Sequence, residues 1–281
     1  MAIRSVSELW DFMRDVKAET DRDRVIPVAA GVAFYALLSV VPMLTALISV
    51  FGLISSPEEV PQQLASVTGV LPAEAATLVT RQATRIAAAA NGTLSLTALI
   101  ALAIALWSAN GGTKALIEAL GIAYDVKESR GFVRLNLVAL GFTLGAIVTV
   151  VVLGSAVAAL PFILDWVGGV AQIVVLLLRW PVIFALLLAV LAVLYRWAPN
   201  REDVAWVWIS PGAVVAAIGI ILGSVGLGWY VSNFGNFDET YGSLAAVVIL
   251  MLWMWLSTVM VLVGAEVNAV LERRSKARSR G

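Results

Sequence analysis

The sequence predicts an all-α polytopic membrane protein, with about six transmembrane helices and additional amphipathic interfacial helices. Composition is the first reason. Of 281 residues 60% are hydrophobic and 14% charged, with a mean hydropathy of +0.93, whereas a soluble domain carries about a quarter charged residues. The second is length: the apolar residues fall in runs long enough to cross a hydrocarbon core of about 30 Å as helices. The third is the segregation of positive charge into alternate connecting segments.

Residues 1–26 form a cytoplasmic amphipathic segment, with Arg4, Arg14, Lys17, Arg22 and Arg24 among acids and Trp10, Phe12, Met13 and Val16 between them. This pattern suits an interfacial helix. The segment lacks the apolar core of a cleavable signal peptide. A six-span transmembrane domain occupies 27–270, and a basic tail, 271–281, follows. The first span runs from Pro27 to Ile54, with Pro42 inside it. Residues 55–92 are too polar to span. Ser56-Pro57-Glu58-Glu59 is a helix start and Asn91-Gly92 a stop, so 55–92 is an external amphipathic segment.

The second span starts near Thr93. Its apolar part, Leu94–Trp107, covers only about 21 Å. It meets Ser108-Ala109-Asn110-Gly111-Gly112 before a more polar helical stretch. One long helix or a helix broken at the two glycines fits this pattern, and unwinding at the glycines would present carbonyls inward. The third span covers about 135–164, the fourth 170–194, the fifth 205–230 with Pro211-Gly212 near its start, and the sixth 241–263. Trp10, Trp107, Trp166, Trp180, Trp197, Trp206 and Trp229 fall near predicted span ends, as an aromatic belt does.

Of nineteen Lys and Arg, sixteen fall on the side of the two termini, and only Arg81, Arg85 and Arg179 fall on the other. The positive-inside rule therefore places both ends in the cytoplasm. The chain has no Cys and no His, which removes thiol catalysis, cysteine metal sites and the commonest general base. Zero net charge argues against a nucleic-acid partner. No residue pattern calls for a cofactor, a catalytic site or a metal site. A nuclease reading needs clustered carboxylates. The candidates Glu118, Asp125, Glu128, Glu202 and Asp203 show no such pattern.

Several residues are candidates for a cavity or transport path. Glu266 lies near the inner end of the last span, beside Asn268. It is either a coupling site or the partner of Lys114, Arg130, Arg134 or Arg196. Ser108, Asn110 and Lys114 would be costly against lipid, so 108–114 is expected to line an inward-facing cavity with Glu266 and the Pro211-Gly212 region. Tyr35, Ser39 and Pro42 lie on neighbouring turns of the first span and either face that cavity or bond their own backbone. Lys127, Arg130 and Arg134 form a charged elbow, either solvated or in contact with lipid headgroups. Gly219 and Gly223 provide a small-residue packing face.

Three blocks, "GVAFYALLSVVPMLTAL" at 31–47, "LWSANGGTKALIEALGIAYDVKESRGF" at 106–132 and the stretch 211–269, resemble in order and spacing the YihY/BrkB family of bacterial inner-membrane proteins, once labelled ribonuclease BN. Tyr230, Tyr241-Gly242-Ser243, Trp253, Gly264-Ala265-Glu266 and Asn268 are the most specific part of the match. The chain departs from many members at Gly121 and at Gly219-Ile220. The resemblance implies a six-span protein of the inner membrane but no settled activity; a nearly all-membrane chain with polar residues in or beside its spans leads to the expectation of a transporter or flippase-like role for a lipid or other envelope component. A non-transporting scaffold or assembly factor is the alternative. Membrane lipids, a second copy of the chain and envelope proteins are the expected partners.

Overall fold

The computed structural model describes residues 6–51, 77, 81, 96–167, 169–201, 209–234 and 241–278. The external segment expected at 55–92 lies outside them apart from residues 77 and 81, and so does residue 206. The described residues form helices and no strands: α1 (Val6–Arg22), α2 (Val25–Phe51), α3 (Leu96–Ala123), α4 (Phe132–Val167), α5 (Gly169–Trp197), α6 (Pro211–Phe234) and α7 (Ala245–Arg278), the last preceded by a 3-10 turn, Gly242–Leu244. Helices are the form a chain of this composition must take. In lipid every backbone N–H and C=O needs an internal partner, and a helix supplies it within one segment.

Helices α2 to α7 are 24 to 36 residues long, about 36–54 Å at the helical rise, and therefore exceed the hydrocarbon core. Four stretches are long and apolar enough to cross a membrane, Val25–Leu44, Phe132–Thr149, Pro211–Asn233 and Ala245–Ala277, and Pro181–Trp197 is a shorter apolar helix. By contrast α1 is amphipathic, with Val6, Trp10 and Met13 exposed and no buried residue, as expected of an interfacial helix.

The core is built from small residues. Ala29, Ala119, Ala123, Ala213, Ala216, Ala217 and Ala265 are buried with Val25, Ile117, Leu120, Tyr195 and Leu262. Lipid offers no hydrophobic drive between helices, so close approach and van der Waals contact must hold them. Two crossings depend on glycine. A methyl on Gly112 would lie 2.9 Å from the Ala36 Cα of α2. A methyl on Gly212 would collide with the Gly264 carbonyl of α7, and one on Gly264 with the Gly212 carbonyl and the Tyr195 hydroxyl.

The structure decides one open alternative and sets two helix ends. First, α3 runs unbroken through Gly111-Gly112, so the two glycines are no hinge. Their missing side chains admit α2, and the Gly112 N–H also donates to Ser39 Oγ at 3.0 Å. Second, α6 starts at Pro211, not near 205. Proline suits the first helical position because its missing N–H has no helical partner there, and Ser210 Oγ accepts from the Ala213 N–H at 3.1 Å. Third, α7 continues through most of the basic tail to Arg278. Ion pairs from Arg273 and Arg274 to α1 and its surroundings hold that extension.

Gly264→Ala should destabilise the fold by about 1–3 kcal/mol for overpacking, or more where backbone must move, and so lower the unfolding temperature in detergent. Gly226→Ala, whose added methyl meets nothing within 4 Å, should melt as the wild type. Equal melting of both variants would remove the close α6–α7 crossing.

Candidate functional site

The expected site residues separate into three groups. The first lies among α2, α3 and α4. Buried Asn110 donates to the Asn136 backbone carbonyl at 3.2 Å and to Asn136 Oδ1 at 3.3 Å, and Lys114 Nζ donates to the same Oδ1 at 3.1 Å. Asn136 in turn donates to the Phe132 carbonyl. Thr113 and Thr143 hydroxyls meet at 2.9 Å. Asn110 Oδ1 is buried and has no hydrogen-bond partner among the described residues. Lys114, half buried, makes no ion pair among them. Ser39 is buried beside this group. Its hydroxyl donates to the Tyr35 carbonyl at 2.8 Å while accepting from Gly112. Tyr35 and Ser108 are exposed on the outer faces of α2 and α3, and Pro42 is half buried within α2.

The second group joins α6 to α7. Asn268 uses its whole amide: Oδ1 accepts from the Gly212 N–H at 2.9 Å, and Nδ2 donates to Tyr124 Oη at 3.2 Å and to Ser210 Oγ at 3.1 Å. Arg201 lies over the Tyr124 ring, 4.1 Å from its centroid, and pairs with Glu272 at 2.7 Å. Burial pushes the Tyr124 hydroxyl up to about 12, so it stays a neutral partner to Asn268. Pro211 is exposed at the start of α6. Tyr230 and Tyr241 are exposed at the far ends of their elements.

The third group surrounds Glu266. The alternative of a structural ion pair with Lys114, Arg130, Arg134 or Arg196 is not what the structure contains. Lys114 turns to Asn136. Arg130 is bound to Glu128 at 2.6 Å and to the Ala198 carbonyl at 2.5 Å. Glu266 instead faces two other acids, Glu19 at the end of α1 and Asp23 in the turn after it. Among the described residues, no hydrogen bond links it to 108–114 or to Pro211-Gly212, the residues expected to share its cavity. Glu19 and Asp23 escaped the sequence reading. Their signal was partial: Glu19 and Asp23 are four residues apart, a spacing that brings both to one side where α1 ends and its turn begins.

The charged elbow is also largely engaged. Arg130 is committed to Glu128 and Ala198, so only Lys127 and Arg134 of the three expected headgroup contacts are exposed. The hydrogen bonds from Arg130 hold the Glu128 carboxyl below its ordinary value of 4.5.

These observations define an integral membrane protein of the polytopic, all-helical class. The chain belongs to the BrkB virulence-factor family, whose profile matches residues 16–281. It is 33% identical over 256 residues to a ribonuclease-like protein, YfkH, of Bacillus subtilis (strain 168), covering 88% of this chain and 90% of the relative. It is 30% identical over 271 residues to the UPF0761 membrane protein VV0203 of Vibrio vulnificus (strain YJ016), covering 94% and 83%. A UPF0761 membrane protein of Vibrio cholerae (El Tor Inaba N16961) is 31% identical over 275 residues, covering 94% and 88%. No solved structure matches.

The Glu128–Arg130 pair gives a pH prediction. A carboxyl held below its unfolded value of 4.5 adds stability above that pH, and the contribution disappears as pH falls through the lower folded value. The wild type should therefore melt above Glu128→Gln at pH 7, with the gap closing below pH 4.5. A gap independent of pH would show that the pair does not titrate in this way.

Proposed function

We propose that the protein is a transporter of flippase type for a lipid or another amphipathic envelope component. In this reading it lies in the bacterial inner membrane with both ends in the cytoplasm. One observation carries the proposal: Lys114 sits among apolar helices with a neutral amide as its partner. A cation in such surroundings is costly unless an anion joins it, and the phosphate of a lipid headgroup supplies one. The free lone pairs of Asn110 Oδ1 suit a headgroup hydroxyl or amine. Phe34, Tyr35, Leu38, Ile104 and Trp107 are exposed on α2 and α3 and offer acyl chains an apolar wall beside the headgroup site. The name of the ribonuclease-like relative does not by itself carry a nuclease to this chain, and the Asn110, Lys114 and Asn136 group offers amides and an amine where a metal-dependent nuclease uses carboxylates.

Purified protein in liposomes carrying fluorescent phospholipid tests this reading. Wild type should accelerate headgroup exposure to a membrane-impermeant quencher. Lys114→Gln should reduce the rate at least tenfold with unchanged melting, while Ser108→Ala keeps it. Lipid binding without flux would favour the scaffold or assembly-factor alternative and overturn the transporter.

Orientation has its own test. A cysteine introduced at Lys127 into this Cys-free chain should react with an impermeant thiol reagent in inside-out vesicles and stay protected in intact spheroplasts. The reverse pattern would invert the topology.

A further inference from the structure

Glu19, Asp23 and Glu266 each present a carboxylate oxygen within 4.8 Å of the others. Glu266 has 0% of its surface exposed, and neither of its oxygens has a hydrogen-bond partner among the described residues. A buried, unpaired carboxylate facing two more carboxylates is the least favourable arrangement that packing offers. The nearby guanidiniums are paired with other acids. Arg22 reaches Glu19 at 2.7 Å, Asp23 at 2.8 Å and Asp125 at 2.8 Å. Arg273 reaches Glu19 at 3.3 Å and Asp125 at 2.5 Å. Neither forms an ion pair with Glu266. Four carboxylates, Glu19, Asp23, Asp125 and Glu266, thus face two guanidiniums, and two negative charges remain.

We propose that Glu19, Asp23 and Glu266 bind a divalent cation that fastens α1 and its following turn to α7. With all four carboxylates ionised, the residual charge is that of one divalent ion. The donors are all oxygen, which selects the hard cations Mg2+, Mn2+ and Ca2+, and the chain holds no His or Cys to favour zinc or copper. Oxygens on opposite sides of one such ion lie about 4–5 Å apart, twice a metal–oxygen bond of about 2.0–2.6 Å, so three oxygens within 4.8 Å fit around a single ion. Water would complete the shell, because three carboxylates leave coordination positions open. The site is separate from the Lys114 group, and its test does not depend on lipid movement.

Full-length protein in detergent, stripped with EDTA, is melted with and without MgCl2, MnCl2 or CaCl2 at constant ionic strength set by choline chloride. At least one divalent salt should raise the melting temperature in a saturable, concentration-dependent way. Glu266→Gln should lose that rise, and Glu128→Gln, outside the site, should keep it. In EDTA the order reverses: Glu266→Gln should melt at or above the wild type, because a repelled buried charge is gone. Should Glu266→Gln fail to fold, Mn2+ titration followed by electron paramagnetic resonance on wild type and Asp23→Asn decides the matter, with at least tenfold weaker binding expected of the variant. The proposal is overturned if no divalent salt shifts wild-type melting, if the shift survives in Glu266→Gln, or if only pH moves the transition, which would mean the carboxylates share a proton instead.

Discussion

The close crossing of α6 and α7 at Gly212 and Gly264 sets the geometry of the rest of the molecule. Each glycine leaves space that the other helix's backbone fills, and Tyr195 reaches into the same point to donate its hydroxyl proton to the Val261 carbonyl at 2.7 Å. With α6 and α7 this close, Asn268 can serve the first turn of α6, the Ser210 cap and Tyr124 together. Tyr124 ends the α3 segment, and Arg201, stacked on its ring, follows α5. One contact between two backbones thus gathers the ends of α3, α5, α6 and α7. In a solvent that supplies no hydrophobic drive between helices, such close approach is what holds a bundle together.

The same crossing dictates where Glu266 points. Gly264 and Asn268 are four residues apart and share the face of α7 turned to α6. Glu266 lies two residues from each, about 200° around the helix, and must face the other way. That face is covered by α1 and the turn after it, where Arg24 adopts a positive φ of 50°. Glu19 and Asp23 arrive there together. The polarity near the end of the bundle therefore divides between two sides of one helix. On one side an amide satisfies every group it meets. On the other, carboxylates confront one another with too few cations among them.

Elsewhere the bundle keeps polar side chains in local bonds. Ser39, Thr143 and Thr258 each donate to the carbonyl four residues back, the usual way for a hydroxyl to sit in an apolar helix. Against that background the Asn110–Asn136–Lys114 group differs in what it leaves over, an ammonium without an anion and a carbonyl oxygen without a donor among the described residues.

The sequence determined by itself what depends on composition and period. Long apolar runs specify helices of membrane length, the charge split separates the two ends of those helices, and the interleaved apolar and charged residues of 6–22 specify an interfacial helix. The Pro211 start of α6 was also within reach, since proline prefers the first helical turn. What the sequence left open depends on contacts between distant segments. At Gly111-Gly112 an unwound hinge and a packing surface look alike in one dimension. Only Ala36 and Ser39, more than seventy residues away, decide that the glycines serve packing. The partners of Glu266 were open for the same reason. A cation on the same side of the membrane is a fair expectation from charge alone, but the rotation of α7 imposed by Gly264 turns the carboxylate toward α1 and its acids. Periodicity fixes which residues share a face. Only the packed structure fixes what that face meets, because the approach of two helices depends on the shape of both.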